Sequence, residues 1–255
     1  IGAFVGFFAG LLGIGGGAVI IPLLAWLFEA QGIPREHLLH LAVGSSMASI
    51  LFTSISSVRA HAARGAVRWD VAKAMTPGII VGGLAGSAAA GAFSTVVLAG
   101  AFTVIVYVAG TNILLDRQPK PGRSLPGRVG MSIAGAIISG VSALVALGGA
   151  FMSVPFMIYC NVSVREAIGT AAFIGFPIAL VGSIGYIATG WSASSLPPWS
   201  LGYVYLPAVA GVCAASMLMA PLGAKASHRL PTRILKRIFG VLLLVFATKM
   251  LVGLL

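Results

Sequence analysis

Acidic residues are scarce in this 255-residue chain, five in all against 16 Lys and Arg. Charged residues of both signs make up 8% of it, where a soluble globular domain carries about a quarter. That shortage excludes a water-soluble domain and leaves no constellation of carboxylates for acid–base or metal-assisted catalysis. Cysteine is nearly absent as well. Cys160 and Cys213 lie in or beside apolar segments with neither disulfide nor metal-ligand spacing, so they read as small buried hydrophobes. His37 and His40 stand three apart, but no Cys or carboxylate shares their helical face to complete a metal site. Gly13-x-Gly15 leads into neither a strand–helix unit nor a Lys-Thr pair, which sets nucleotide binding aside. The net charge of +11 has no basic run interleaved with a soluble fold, so nucleic acid is not an expected partner. No metal and no cofactor are expected.

What remains is apolar. Hydrophobic residues account for 58% of the chain and the mean hydropathy is +1.04, the composition of a multi-pass membrane protein. Apolar blocks fall near 2–28, 38–58, 71–92, 95–115, 129–159, 164–189, 203–222 and 232–255. The block at 129–159 exceeds the roughly 20 residues that a straight span needs, which leaves room for a break. The first block carries Gly10-Leu-Leu-Gly-Ile-Gly-Gly-Gly-Ala-Val-Ile-Ile-Pro22. Each glycine costs roughly 1 kcal/mol in a helix interior, so Gly15, Gly16 and Gly17 together predict unwound backbone at membrane depth. Such backbone survives only against protein or a polar cavity, and the amides that open the next half-helix present a positive dipole end suited to an anion. Gly148-Gly149-Ala150 followed by Pro155 is a weaker copy. Gly82, Gly83 and Gly86, by contrast, have the spacing of a small-residue packing face.

The two breaks belong to an internal repeat. Pro22 falls opposite Pro155, Ala42-Val-Gly-Ser-Ser46 opposite Ala167-Ile-Gly-Thr-Ala171, and His61-x3-Gly65 opposite Tyr186-x3-Gly190. Pro77 then pairs with Pro207, and Thr95, Leu98 and Phe102 pair with Thr232, Leu235 and Phe239. The expected organisation is a first repeat over 1–116, a basic cytoplasmic linker over 117–128, and a second repeat over 129–255.

Charge orients the repeats. The second, fourth and seventh connections hold 13 of the 16 basic residues, which marks all three as cytoplasmic. The sixth, Gly190–Gly202, is uncharged with Trp191 and Trp199, and should face outside. A cytoplasmic fourth and an external sixth connection need an odd number of crossings, yet two apolar blocks separate them. One block must enter and leave on the same side, and the block with the break is the candidate. The fold expected is therefore all-α: two inverted four-block repeats, each a re-entrant broken-helix hairpin followed by three transmembrane helices. Eight full crossings with parallel repeats is the alternative.

Gly-x-x-Gly-Ile-Gly-Gly-Gly-x5-Pro at Gly10–Pro22, Ala-Val-Gly-Ser-Ser at Ala42–Ser46 and His61-x3-Gly65, with the set repeated in the second half, resemble the TauE/SafE family of sulfite and organosulfonate exporters. The resemblance covers essentially the whole chain. It implies a carrier in a bacterial inner membrane for small sulfur-containing anions, with Ala146, Leu147 and Ala171 as departures in the second repeat where the first has Gly13, Ile14 and Ser46.

The residues expected to bind the anion are Gly15, Gly16, Gly17, Ser45, Ser46, Gly148, Gly149, Ala150 and Thr170, through backbone amides and hydroxyls and without a fixed cation. Inverted repeats would gather Ser45 and Thr170 near the midplane beside both breaks. His61 and Tyr186, repeat equivalents, are candidates for a gate or relay. Glu36 and Glu166 read as ion-pair or helix-start residues, and Lys249 as a snorkelling cation. The expected function is secondary transport of sulfite or an organosulfonate, with export favoured. The partners are the anion and the lipid bilayer. An anion channel, a carrier of another small anion and a partner-binding membrane subunit are the alternatives.

Overall fold

A computed structural model of the protein describes residues 17–115, 122–146, 148–227 and 232–254. The described residues form α1 (Gly17–Ala30), α2 (Arg35–Ala62), α3 (Trp69–Ala92), α4 (Thr95–Leu114), α5 (Arg128–Val145), α6 (Ala150–Tyr159), α7 (Val164–Gly190), a two-stranded hairpin of β1 (Ser200–Leu201) and β2 (Val204–Tyr205), then α8 (Leu206–Ser227) and α9 (Thr232–Leu254). Over the described residues the apolar blocks appear chiefly as helices, and the long block divides in two between Val145 and Ala150. Five helices, α2, α3, α4, α5 and α7, are long and apolar enough to cross a membrane. The fold is that of an all-α membrane protein.

Local chemistry sets the boundaries. Ser94 accepts the amide of Val97 to start α4. Ser163 accepts the amide of Glu166 and donates its own hydroxyl to that carboxylate at 2.7 Å, which makes Glu166 a helix-start residue. Arg35 pairs with Glu29 across the turn before α2, an exposed contact, and leaves Glu36 in the first turn.

Two long helices form the centre. α2 and α7 run antiparallel: a methyl group on Gly44 would lie 3.1 Å from Cβ of Tyr186, and one on Gly182 would lie 3.2 Å from Sδ of Met47. α3 packs against α5 through glycines at spacings of four. Methyl groups on Gly78, Gly82 and Gly86 would strike the carbonyl oxygens of Ser132, Ala136 and Gly140 at 1.6, 2.0 and 2.5 Å, so small residues let these two backbones touch. α4 packs against α9. Outward-facing valines such as Val81, Val104 and Val129 are more than 60% exposed, as expected where lipid replaces water, and Trp191 and Trp199 project from the uncharged connection.

The helix ends are tied in two groups. At one end the amides of Gly122 and Arg123, before α5, donate to the carbonyl of Tyr159, the last residue of α6, and Asn161 Nδ2 donates to the carbonyl of Arg123. Arg165, in the first turn of α7, donates to the carbonyl of Arg64 in the α2–α3 loop at the same end. At the other end Thr95 Oγ1 donates to the carbonyl of Glu36, and His40 Nε2 donates to the carbonyls of Ala90 and Phe93. His40 therefore carries its proton on Nε2 and closes the C-terminus of α3, and its ring lies 4.9 Å from that of Tyr203. Lys249 sits 6.0 Å from the ring of Trp26. One pairing needs correction: Pro77 lies in the third turn of α3 but Pro207 in the first of α8, so these prolines are not equivalent in place.

Candidate functional site

The interruption between α5 and α6 is made by left-handed backbone at Ala146 (φ 43°), Gly148 (φ 68°) and Gly149 (φ 74°). Two of those positions are glycines, which adopt this region freely, while Ala146 is held there by its surroundings. Against it lies the first residue of α1. A methyl group on Gly17 would fall 1.8 Å from the carbonyl oxygen of Ala146, so nothing larger than glycine permits this approach. The start of α1 and the break of the second half thus meet directly. Ile50 of α2 touches both, and Gly175 of α7 passes close to the carbonyl of Gly148.

α1 and α6 both begin at this meeting point and run to opposite ends of the bundle, with Pro22 and Pro155 each the sixth residue. The first described residue of α1 and the N-terminus of α6, with its positive dipole end, therefore converge. Ala150 is the first helical residue of α6, and Ser153 in the same turn is fully buried and has, among the described residues, no hydrogen-bond partner for Oγ. Ser46, one turn before Ile50 on α2, is likewise fully buried and unpartnered. A buried hydroxyl left without a partner costs about 1–3 kcal/mol, so these two are donors available to an acceptor beside the α6 start. Ser153 escaped the sequence reading, although its place one turn after a glycine break was a usable signal.

Ser45 and Thr170 do not converge at the breaks. Ser45 lies five residues before Ile50 and Thr170 five before Gly175 on antiparallel helices, so they flank the meeting point on opposite sides, each displaced by about 7 Å at a rise of about 1.5 Å per residue. Each is fully buried and accepts a backbone amide from the other half of the chain, Ser45 from Tyr205 and Thr170 from Arg68, both at 2.9 Å. The preceding glycine completes each contact. A methyl group on Gly44 would lie 2.3 Å from the carbonyl oxygen of Tyr203, and one on Gly169 would lie 2.2 Å from that of Ala66. The Gly-Ser and Gly-Thr pairs are thus matching clamps, each gripping a carbonyl and the amide two residues later just ahead of α8 or α3. This match pairs Arg68 with Tyr205, a register that periodicity could not supply.

Tyr186 and His61 are also separated. Tyr186 is fully buried, and its hydroxyl donates to the carbonyl of Ala143 at 2.9 Å, in the last turn of α5 where carbonyls run out of amide partners. It braces the break. His61 lies at the end of α2 and lines a cavity with Arg64 and Arg165. Tyr186→Phe removes the side-chain donor to the Ala143 carbonyl and should cost about 1–3 kcal/mol, read as a lower melting temperature in detergent. Gly15 and Gly16 lie outside the described residues. Among the described residues no three His, Cys, Asp or Glu come together as a metal site.

Five membrane-length helices packed around the interruption between α5 and α6 are those of an integral, multi-pass membrane protein. The chain belongs to the TauE/SafE family: residues 1–250 match the family described as "Sulfite exporter TauE/SafE". This is a family of membrane transporters, not of enzymes. A "Probable membrane transporter protein" of Haemophilus influenzae is 33% identical over 251 residues, covering 98% of this chain and 95% of the relative. "Probable membrane transporter protein YdhB" of Bacillus subtilis is 28% identical over 250 residues, 91% of this chain and 89% of the relative. No solved structure matches the chain.

Proposed function

We propose that this protein is a secondary carrier that exports a small sulfur-containing anion, sulfite or an organosulfonate such as sulfoacetate, across the bacterial inner membrane. The observation that carries the reading is the meeting of the α1 start with the Ala146–Gly149 break, beside the unpartnered hydroxyls of Ser46 and Ser153. Amides, dipole ends and hydroxyls suit an oxyanion, and a site without a fixed cation releases what it binds. In this reading the substrate-binding residues are Gly15, Gly16, Gly17, Ser46, Gly148, Gly149, Ala150 and Ser153, with Ser45 and Thr170 as the clamps above and below.

The mechanism proposed is alternating access between two inverted repeats. The ties from Gly122 and Arg123 to Tyr159 support a re-entrant α5–α6 hairpin, since the chain before α5 and the chain after α6 share one end. The reciprocal clamps support a two-fold relation between halves. Placing the basic end, with Arg64, Arg123 and Arg165, in the cytoplasm satisfies the positive-inside rule and draws anions to the exporting face.

Purified protein in proteoliposomes should give saturable flux of sulfite or sulfoacetate above that of protein-free vesicles. Absence of saturable flux for sulfite, sulfoacetate, taurine and thiosulfate alike would sink the carrier reading. Conductance far above carrier turnover would assign a channel instead.

A further inference from the structure

At the basic end of the bundle a cavity of about 450 Å³ opens between the α2–α3 loop and the first turns of α7, lined by His61, Arg64, Ala66, Val164, Arg165 and Ile168. Among the described residues no acidic side chain lines it. The acids nearby are engaged elsewhere: Asp70 is held by Arg68 at 2.6 Å, and Glu166 by the hydroxyl of Ser163. Among the described residues neither Arg64 nor Arg165 has a carboxylate partner. Arg165 spends one donor on the Arg64 carbonyl at 3.0 Å, which fixes its guanidinium against the loop and leaves its other N–H groups for a ligand.

We propose that this cavity is a second anion site, separate from the interior break, for a free oxyanion with a short apolar stem, an organosulfonate or a carboxylate. Arg64 and Arg165 hold the charged head, since guanidinium forks match planar and tetrahedral oxyanions, and His61 adds a third donor. Val164 and Ile168 form the apolar wall that a bare inorganic ion would not need. The size is within the range of small-molecule pockets. The position gives the site a role. Ala66, which lines the cavity, is the residue whose carbonyl lies against Gly169, and Ile168 precedes that glycine, so an anion here sits over the clamp that joins the first half's loop to the second half's helix. The site loads anions from the cytoplasmic face. That role rests on the carrier reading, whereas binding at the site does not.

The test is arginine labelling. Detergent-purified protein is treated with phenylglyoxal at constant ionic strength, with and without millimolar sulfoacetate, and labelled arginines are quantified by peptide mass spectrometry. Saturable slowing by about fivefold is expected at Arg64 and Arg165, with no change at Arg35, which stands at the other end of the bundle. Arg165→Gln should abolish the protection of Arg64, and Arg165→Lys, which keeps the charge, should retain part of it. In proteoliposomes, Arg64→Gln with Arg165→Gln should raise KM about tenfold for sulfoacetate supplied at the basic end. Absence of protection by sulfoacetate, or protection only by phosphatidylglycerol in nanodiscs, overturns the assignment. Protection without any flux leaves this site standing and removes the carrier reading; flux without protection does the reverse.

Discussion

Ser46→Ala and Ser153→Ala should each reduce saturable anion flux about tenfold, and together about a hundredfold, without lowering the melting temperature. The two readouts move apart because the hydroxyls are paired only when ligand is present. Each Oγ is buried with no partner among the described residues, which costs about 1–3 kcal/mol and which alanine relieves with little change in volume. With an oxyanion bound, each hydroxyl makes a hydrogen bond to a charged acceptor worth about 1.5–3 kcal/mol, which alanine forfeits. A residue that served packing alone would show the opposite: loss of stability with transport kept. Flux in proteoliposomes and thermal unfolding in detergent, measured on the same preparations, separate the cases. Parental flux in both variants would remove the hydroxyls from the site.

Gly44→Ala and Gly169→Ala should each lower the melting temperature by roughly 5–10 °C, while Gly100→Ala leaves it unchanged or raises it. All three changes add one methyl to a helical glycine, so intrinsic helix propensity favours each of them equally. Space decides the outcome. At Gly44 and Gly169 the methyl would lie 2.3 and 2.2 Å from a backbone carbonyl oxygen, which no side-chain rotation relieves, whereas nothing lies within 4 Å of Gly100. The two clamps stand on opposite sides of the breaks, so their losses should add in the double variant. Melting curves for the parent and the four variants are sufficient, and a Gly44→Ala variant as stable as Gly100→Ala would refute the clamp.

Much of the fold was legible because lipid imposes a coarse rule on sequence. Apolar blocks long enough to span are seen without reference to partners, and the excess length of the 129–159 block, with Gly148 and Gly149 inside it, announced a break that the structure places at residues 146–149. The packing of Gly82 and Gly86 followed from spacing alone. The candidate site was less legible. Ser45 and Thr170 were visible as repeated hydroxyls, but their partners are main-chain amides of Arg68 and Tyr205, and an amide has no sequence signature. Tyr203 and Tyr205 belong to a hairpin with two residues in each strand, too short for any alternation of side chains to register. Arg64 looked like a topology marker, and Arg165 like the ion-pair neighbour of Glu166. Only the fold brings a loop of the first half against a helix start of the second and makes a cavity of them.

The clamps also set a schedule for assembly. Ser45 is bonded to an amide 160 residues further along the chain, and Thr170 to one 102 residues earlier. At synthesis rates of about 5–20 residues per second, the Gly44–Ser45 face of α2 enters the bilayer roughly 10–30 s before the hairpin that covers it exists. Through that interval the notch at Gly44 lacks the Tyr203 carbonyl that fills it, and the Ser45 hydroxyl can bond back onto its own helix. Thr170 waits for nothing, since Arg68 is already in place when α7 emerges, so closure proceeds first at the basic end and last at the uncharged one.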